Sequence, residues 1–272
     1  MKHDVEGAGY ISPAAMTGFV AIGLAVILSF FSVRLVAIPL SAFILCCVAA
    51  PFFPSGGFFL PVNSRGHTGR SAVSLTFDDG PDPVTTHPLL QLLDRHAAKA
   101  AFFVTGEKAA KYGDLVLDIL EHGHEIGNHS YRHYPLLMLR RYQTLYREIE
   151  STQTVLSSFG ISPAAFRPPV GITSPMLAKA LLQQGLYCVT FSCRAFDGGN
   201  RYIKGLSGKI LNKVKSDDII LLHDIKPKVA RDTEYFLREI DMILSCLKNK
   251  GLQIVPLAEL LGRPVMVRIK SK

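Results

Sequence analysis

Two adjacent carboxylates are the residues of this sequence with the clearest chemical potential. Asp78 and Asp79 stand in the run Leu75-Thr-Phe-Asp-Asp-Gly-Pro81, where an apolar, strand-like stretch gives way to a Gly-Pro turn. Successive side chains at the end of a strand point in different directions. One acid could therefore bind a metal ion while its neighbour takes a proton from a reacting group.

A pair of histidines, His129 and His133, lies later in the chain. Their spacing places both rings on one side of a helical turn, or of a tight loop, aimed at a single point. One aspartate and two histidines would form a facial metal site with positions open for water and substrate. Taken alone, the acidic run is typical of a surface turn, and the histidine pair fits a ligand pair and an ordinary surface equally well. Their combination favours a metal-dependent site.

Five motifs in order resemble those of the NodB-type polysaccharide deacetylases, carbohydrate esterase family four. The matching segments are Thr76–Gly80, His129–His133, Arg167–Gly171, Phe191–Gly198 and Leu221–His223. The resemblance covers nearly all of the sequence beyond its apolar N-terminal part. It implies the family fold, an α/β structure built as an irregular (β/α) barrel with fewer than eight strands.

The resemblance also implies roles for the site residues. Asp79, His129 and His133 match the family's metal ligands. Mixed nitrogen and oxygen donors suit a divalent ion, with Zn²⁺ expected and Co²⁺, Ni²⁺ or Mn²⁺ also compatible. Asp78 matches the general base and His223 the general acid, which would make the chain an amide hydrolase.

Two further matches would support these groups, and three positions depart from the family. Arg167 matches the arginine that orients the base, and Asp197 the acid that holds the acid histidine; an ordinary ion pair is the alternative for each. Aromatic residues are usual at Val170 and Gly198, an acid is common at Arg194, and the chain has no Trp. Because sugar rings pack on aromatic faces, the binding groove must be built differently.

The elements that must position these residues alternate between strand-like and helical patterns, which predicts a parallel sheet with the site at the carboxyl ends of its strands. The predicted strands are Ala72–Phe77, Ala100–Val104, Glu125–Gly127, Ala165–Phe166, Tyr187–Phe191, Ile219–Leu222 and Gln253–Val255. The predicted helices are His87–His96, Asp114–His122, Leu139–Phe159, Ser174–Gln184, Ile203–Lys215 and Thr233–Lys250.

The N-terminal part is of a different kind, because Arg34 is its only charged residue between Gly7 and Ser64. The stretches Gly18–Phe31 and Leu35–Phe53 predict a transmembrane helical hairpin with a very tight turn. A cleaved signal peptide and a single anchor with an interfacial remainder are the alternatives. A cytoplasmic Arg34 would place the catalytic domain of a protein anchored in a bacterial inner membrane towards the periplasm or cell wall.

These patterns divide the chain into four parts. We expect a membrane segment over residues 1–54, a linker over 55–70, a catalytic domain over 71–262 and a basic tail over 263–272. The five cysteines show no disulfide framework, so buried thiols are expected, with a Cys188–Cys193 pair as the alternative.

The net charge of +8, from 30 basic and 22 acidic residues, lies beyond the apolar hairpin. We expect no nucleic-acid partner, because no basic helix with interleaved aromatic residues is present. Anionic lipid headgroups or envelope polymers suit a membrane-anchored basic domain better, and a merely solvated surface is the alternative. The sequence does not indicate an oligomeric state.

The function that we predict is removal of N-acetyl groups from amino sugars of an envelope glycan, such as peptidoglycan, an exopolysaccharide or a chitin-like oligosaccharide. A deacetylase or deformylase of a lipid-linked sugar and an O-acetyl esterase are alternatives that use the same residues. A non-catalytic sugar-binding domain is the alternative from a different class, and the complete set of motif residues argues against it.

Overall fold

The computed structural model describes residues 11–53, 55–228 and 232–269. In these ranges the strands are β1 Val62–Asn63, β2 Ala72–Asp78, β3 Ala100–Val104, β4 Glu125–Asn128, β5 Ile161–Pro163, β6 Ala165–Phe166, β7 Tyr187–Val189, β8 Cys193–Arg194, β9 Ile219–His223, β10 Gln253–Ile254 and β11 Met266–Arg268. The α-helices are α1 Pro13–Ser29, α2 Val33–Ala49, α3 Thr86–Arg95, α4 Gly106–Lys111, α5 Gly113–Glu121, α6 Tyr142–Ser157, α7 Pro175–Gln184, α8 Leu206–Leu211, α9 Asp232–Asn249 and α10 Leu257–Leu261. Short 3₁₀ helices lie at Ala50–Phe52, Leu137–Leu139 and Pro169–Gly171.

The main sheet is parallel throughout, in the order β1-β7-β6-β4-β3-β2-β9-β8. Its central strands β2 and β3 are buried at every position, as expected when helices cover both faces of a parallel sheet. β10 pairs with the beginning of β2, below the point at which β9 joins it. The remaining two strands, β11 and β5, form a separate antiparallel pair.

The sheet curls until its two ends approach each other. After β1, at one end, Arg65 forms an antiparallel bridge with Asp218, which precedes β9 near the other end. The Arg65 guanidinium and the Asp218 carboxylate are 2.6 Å apart, and the Gly66 N–H donates to the Asp217 carbonyl at 2.8 Å. These contacts draw the sheet into the irregular barrel that was predicted.

The α/β fold class is confirmed, and the strand count is higher than expected. The sheet has nine strands among the described residues, of which four are two-residue segments. β6 and β10 lie where strands were predicted, whereas the two-residue β1 and β8 are too short to produce the alternating pattern from which strands are predicted. β3 and β6 have their predicted bounds, whereas α6 is shorter than predicted because Leu137–Leu139 forms a separate 3₁₀ helix.

The segments expected to be a linker and a tail both contribute to the folded domain. β1 and Arg65 lie within the expected linker, and β11 lies within the expected basic tail. Residues 270–272 of that tail lie outside the described residues, as do residues 1–10 and 54 of the expected membrane segment. All five cysteines are free thiols, and Cys188 and Cys193 are buried.

The apolar N-terminal residues form two helices that pack against each other, α1 and α2. Val33–Phe52 is the one helix among the described residues that is long and apolar enough to cross a membrane. That helix joins α2 to the 3₁₀ helix Ala50–Phe52 and has 20 residues, whereas the apolar α1 has 17. A hairpin that spans the membrane twice stays a prediction.

Substituting Gly127 by Ala should destabilise the barrel, because a Cβ atom there would overlap the Phe103 ring. Both residues are buried in the sheet, so we expect a loss of about 1–3 kcal/mol, measured by thermal unfolding of the full chain. Gly208→Ala is the matched control: a Cβ atom there, in α8, would meet none of the described residues outside its own stretch of helix backbone within 4 Å, and the change should be neutral or stabilise by up to ~1 kcal/mol. Equal stability of the two variants would contradict the packing described for the sheet.

Candidate active site

The carboxyl ends of the parallel strands bring the predicted site residues to one edge of the sheet. Asp78 is the last residue of β2 and His223 the last of β9, and the two are register partners. Side chains at directly paired positions project from the same face of a sheet. His129 follows β4 directly and Arg167 follows β6, while Asp197 and His133 lie in the loops beyond β8 and β4.

Arg167 is fully buried and holds Asp78 in place. Its guanidinium donates to Asp78 Oδ1 at 2.6 Å, to Thr76 Oγ1 at 2.7 Å and to the Thr190 carbonyl at 3.0 Å. It also lies over the Phe103 ring, 4.0 Å from the centroid. Burial lowers the pKa of Arg167, and the charge of Asp78 opposes that shift. The negative charge of Asp78 therefore offsets the free-energy cost of burying the Arg167 guanidinium.

Asp79 and the two histidines converge beside this ion pair. Asp79 Oδ1 lies 3.2 Å from His133 Nε2 and 3.5 Å from His129 Nε2, and all three atoms fall within 4.8 Å of one another. The backbone of both Asp79 and His133 is left-handed, with φ of 70° and 52°, and this turns the side chains inward from a tight loop rather than from a helix. Lys108 Nζ donates a hydrogen bond of 2.7 Å to the backbone carbonyl of Asp79.

The three groups fit a divalent metal ion. Asp79 Oδ1 is buried and accepts no hydrogen bond, which is costly unless another partner is provided. His129 Nδ1 donates to the Arg167 carbonyl at 2.8 Å, so that in the neutral ring the lone pair lies on Nε2, which faces Asp79. One carboxylate and two imidazoles are a donor set of catalytic zinc sites, with positions left for water and substrate.

The charges at the site are consistent with that fit. Burial alone would raise the pKa of the Asp79 carboxyl, but the neighbouring imidazoles of His129 and His133 hold it well below its usual range. Burial and the proximity of His129 lower the pKa of His133 to about 4. Burial opposes protonation of His129, but the Asp78 and Asp79 carboxylates outweigh it and raise its pKa. Asp79 is therefore ionised and His133 neutral at neutral pH, as metal ligands must be, whereas His129 would have to release the proton that these carboxylates favour when an ion binds.

His223 and Asp197 form a second hydrogen-bonded pair, beside Asp78 at the end of the neighbouring strand β9. His223 Nδ1 is 2.8 Å from Asp197 Oδ2, which also accepts from the Asn200 N–H at 3.2 Å. Burial alone would lower the pKa of His223, but the hydrogen bond and charge of Asp197 raise it to about 9. His223 thus keeps its proton at neutral pH and presents Nε2–H as a donor.

Three supporting residues escaped the sequence prediction. Thr190 acts through its backbone carbonyl, for which no side-chain pattern exists. Asn200 donates to the carbonyls of His223 and Ile225, and its position three residues after an aspartate is the signal that could have found it. Asp224 is buried beneath the Asp79 loop, accepts from Thr85 and Thr86, and directly follows the predicted acid histidine.

The cleft above these groups has a volume of about 630 Å³ and contains the positions that depart from the family. Val170 is half exposed and has φ of 52°, a strained conformation for a β-branched residue. Gly198, at φ 63°, has no side chain to form a wall. Phe196, two positions earlier, is 63% exposed and supplies an aromatic surface that the motif comparison did not predict.

Comparison with known proteins shows that the chain is similar to deacetylases. A family model described as polysaccharide deacetylase matches residues 65–189. A peptidoglycan-N-acetylglucosamine deacetylase of Bacillus cereus is 31% identical over 191 residues, 70% of this chain and 87% of that protein. The peptidoglycan-N-acetylglucosamine deacetylase PgdA of Listeria monocytogenes is 33% identical over 72% of this chain, which spans only 40% of the length of that relative.

A solved structure shares the fold. The Bc1960 peptidoglycan N-acetylglucosamine deacetylase matches with a TM-score of 0.68 and 30% sequence identity. The match covers 75% of this chain and 94% of that chain.

Replacing Asp197 by Asn should lower the pKa of His223. The substitution removes the anionic acceptor while burial remains, so the midpoint should fall from about 9 by at least ~1 unit in an NMR titration of the His223 ring. Asp241→Asn is the control, because the partner of that exposed carboxylate among the described residues is the surface ring of His96. An unchanged His223 midpoint in Asp197→Asn would contradict the coupling.

Proposed function

The chain belongs to the polysaccharide deacetylase family, and we propose that it removes N-acetyl groups from amino sugars of an envelope glycan. The observation that carries the proposal is the convergence of a three-donor metal site with a fixed carboxylate and a protonated histidine. Asp78 Oδ2 lies 3.6 Å from His129 Nε2, so base and ligand border the same space. Hydrolysis of an acetamide needs these groups together.

We assign Asp79, His129 and His133 as the residues that hold a divalent metal ion, with zinc expected. Such an ion, when bound, lowers the pKa of water and polarises the acetamide carbonyl. The assignment rests on the orphaned Asp79 oxygen and on the tautomer of His129 that Arg167 selects.

Asp78 would act as the general base. Arg167, itself anchored on Thr76 Oγ1, donates to Asp78 Oδ1, while Oδ2 faces the site and would accept the proton of the attacking water. The water oxygen then bonds to the carbonyl carbon of the acetamide. A base fixed in this way loses no free energy to reorientation during the reaction.

His223 would act as the general acid. Its raised pKa keeps Nε2 protonated, and Asp197 orients the ring. The proton passes to the sugar nitrogen as the carbon–nitrogen bond breaks, which yields acetate and the free amine. Because Asp78 and His223 project from neighbouring strands, they can serve opposite sides of one scissile amide.

A lipid-linked amino sugar is a second candidate substrate, and one observation favours it. The helix Val33–Phe52 is apolar and long enough to cross a membrane, which would hold the cleft near a membrane surface. The bond broken and the roles of the residues would be the same.

Acetate release by the full chain in detergent tests the proposal. With N-acetylglucosamine oligomers and peptidoglycan as substrates, activity should disappear on chelation and return with Zn²⁺ or Co²⁺. Asp78→Asn should reduce the rate by about 10²–10⁴-fold with the metal still bound, because it removes the base alone. Asp94→Asn, a half-exposed aspartate outside the site, should leave the rate unchanged.

The outcomes separate the alternatives. Metal binding without release from either glycan would transfer the assignment to a lipid-linked or ester substrate. Full activity of Asp78→Asn would contradict the mechanism.

Metal affinity provides an independent test of the ligands. His133→Ala should weaken Zn²⁺ binding by at least ~100-fold in a competition titration with a chelating dye, because one of three protein donors is lost. His87→Ala removes an exposed histidine from helix α3 and should leave the affinity unchanged. Equal affinities would exclude His133 as a ligand.

A further inference from the structure

A second cavity of about 540 Å³ opens where the two ends of the curled sheet approach each other. We call it the edge cleft; the residues that line it include Arg65, Arg194, Phe196 and Lys213. Phe191, Arg194 and Phe196 also border the catalytic cleft, so the two cavities are contiguous. The volume lies within the range of small-ligand sites.

The edge cleft carries positive charge that the protein does not neutralise. Arg194 lies 4.0 Å and Lys213 5.3 Å from the centroid of the Phe196 ring. In the part of the chain that the structure describes, neither cation forms a salt bridge, whereas Arg65 is paired with Asp218. Burial lowers the pKa of Arg194, as expected for a desolvated cation without an anionic partner. A bound anion would supply that partner.

The position of the edge cleft identifies where such an anion comes from. Ser55 lines the cleft and stands three positions after Phe52, the last residue of the apolar helix Val33–Phe52. If that helix crosses a membrane, the cleft opens at the level of the lipid phosphates. Arginine and lysine side chains are the usual protein ligands of phosphate.

We propose that the edge cleft binds the phosphate of a lipid-linked amino sugar, whose acylated nitrogen then reaches the adjoining catalytic cleft. The inference rests on the proposed function and narrows its substrate to a glycolipid presented from the membrane. Arg194 lies at the junction of the two cavities, at a position where an acid is common in the family. A carboxylate at this position would repel a phosphate, whereas the guanidinium attracts one. The exposed Phe196 ring, which both cations contact, adds an apolar surface for the first part of the lipid or for the face of the sugar.

Lys213 is the residue to test, because it lines the edge cleft and not the catalytic cleft. The full chain in detergent is given two substrates of equal tail length: N-acetylglucosamine joined to a prenyl chain through phosphate, and the neutral alkyl glycoside. Lys213→Met should raise KM for the phosphate substrate about tenfold, the loss of one charge-assisted contact, and leave the neutral substrate unchanged. Lys213→Arg should restore KM.

Lys209 provides the matched control, since it is an exposed lysine one turn earlier in α8 that does not line the edge cleft. Lys209→Met should leave both substrates unaffected. Equal effects of Lys213→Met on the two substrates, or none on either, would overturn the proposal. The proposal would also be overturned if the enzyme preferred a cell-wall fragment that carries a carboxylate to the phosphate substrate, and if that preference depended on Lys213.

Two further measurements distinguish the phosphate of a substrate from that of a lipid headgroup and from free inorganic phosphate. Lys213-dependent binding to phosphatidylglycerol vesicles, combined with unselective turnover, would assign the cleft to lipid headgroups and contradict a substrate role. Inhibition by inorganic phosphate should be competitive against the phosphate substrate alone. If the wild type hydrolyses neither substrate but releases acetate from peptidoglycan, the proposed function stands and the glycolipid proposal is overturned. If it acts on none of them, the proposed function fails; binding of the intact phosphate glycolipid, measured calorimetrically for wild type and Lys213→Met, then decides the edge cleft.

Discussion

The buried ion pair between Arg167 and Asp78 is the interaction on which the site depends. A guanidinium with no exposed surface must be compensated, so Asp78 Oδ1 is committed to it at 2.6 Å. The backbone carbonyl of the same arginine accepts from His129 Nδ1 and orients that ring. Arg167, which directly follows the two-residue strand β6, therefore positions both the candidate base and a candidate metal ligand. The Phe103 ring and the Thr190 carbonyl complete the surroundings of its guanidinium.

This arrangement explains how two neighbouring aspartates can do different work. Asp78 is the last residue of its strand; its Oδ1 accepts a hydrogen bond from Arg167, and its Oδ2 faces the cleft. Asp79 has left the strand with φ of 70°, and its Oδ1 has no hydrogen-bond partner but two imidazoles nearby. The difference comes from the backbone, since identical side chains with different supports acquire different chemistry. The His223–Asp197 pair adds a proton donor from the neighbouring strand.

Much of this site was predictable because its residues lie in motifs at the ends of strongly apolar strands. Asp78, Asp79, His129, His133, Arg167, Asp197 and His223 were all named from the sequence, and the structure brings them together around one cleft. The closure of the barrel was not predictable: β1 and β8 have two residues each, and the Arg65–Asp218 contact joins segments far apart in the chain. The edge cleft and its cations depend on that closure, as does the role of Phe196.

Anomalous diffraction at the zinc edge, from crystals of the full chain grown with Zn²⁺, tests the division of labour between the aspartates most directly. The account predicts a single strong peak at this edge of the sheet, within ~2.0–2.2 Å of Asp79 Oδ1, His129 Nε2 and His133 Nε2. Asp78 should remain bonded to Arg167 and outside bonding distance of the ion. A peak coordinated by Asp78 in place of Asp79, or no peak among these residues, would contradict it.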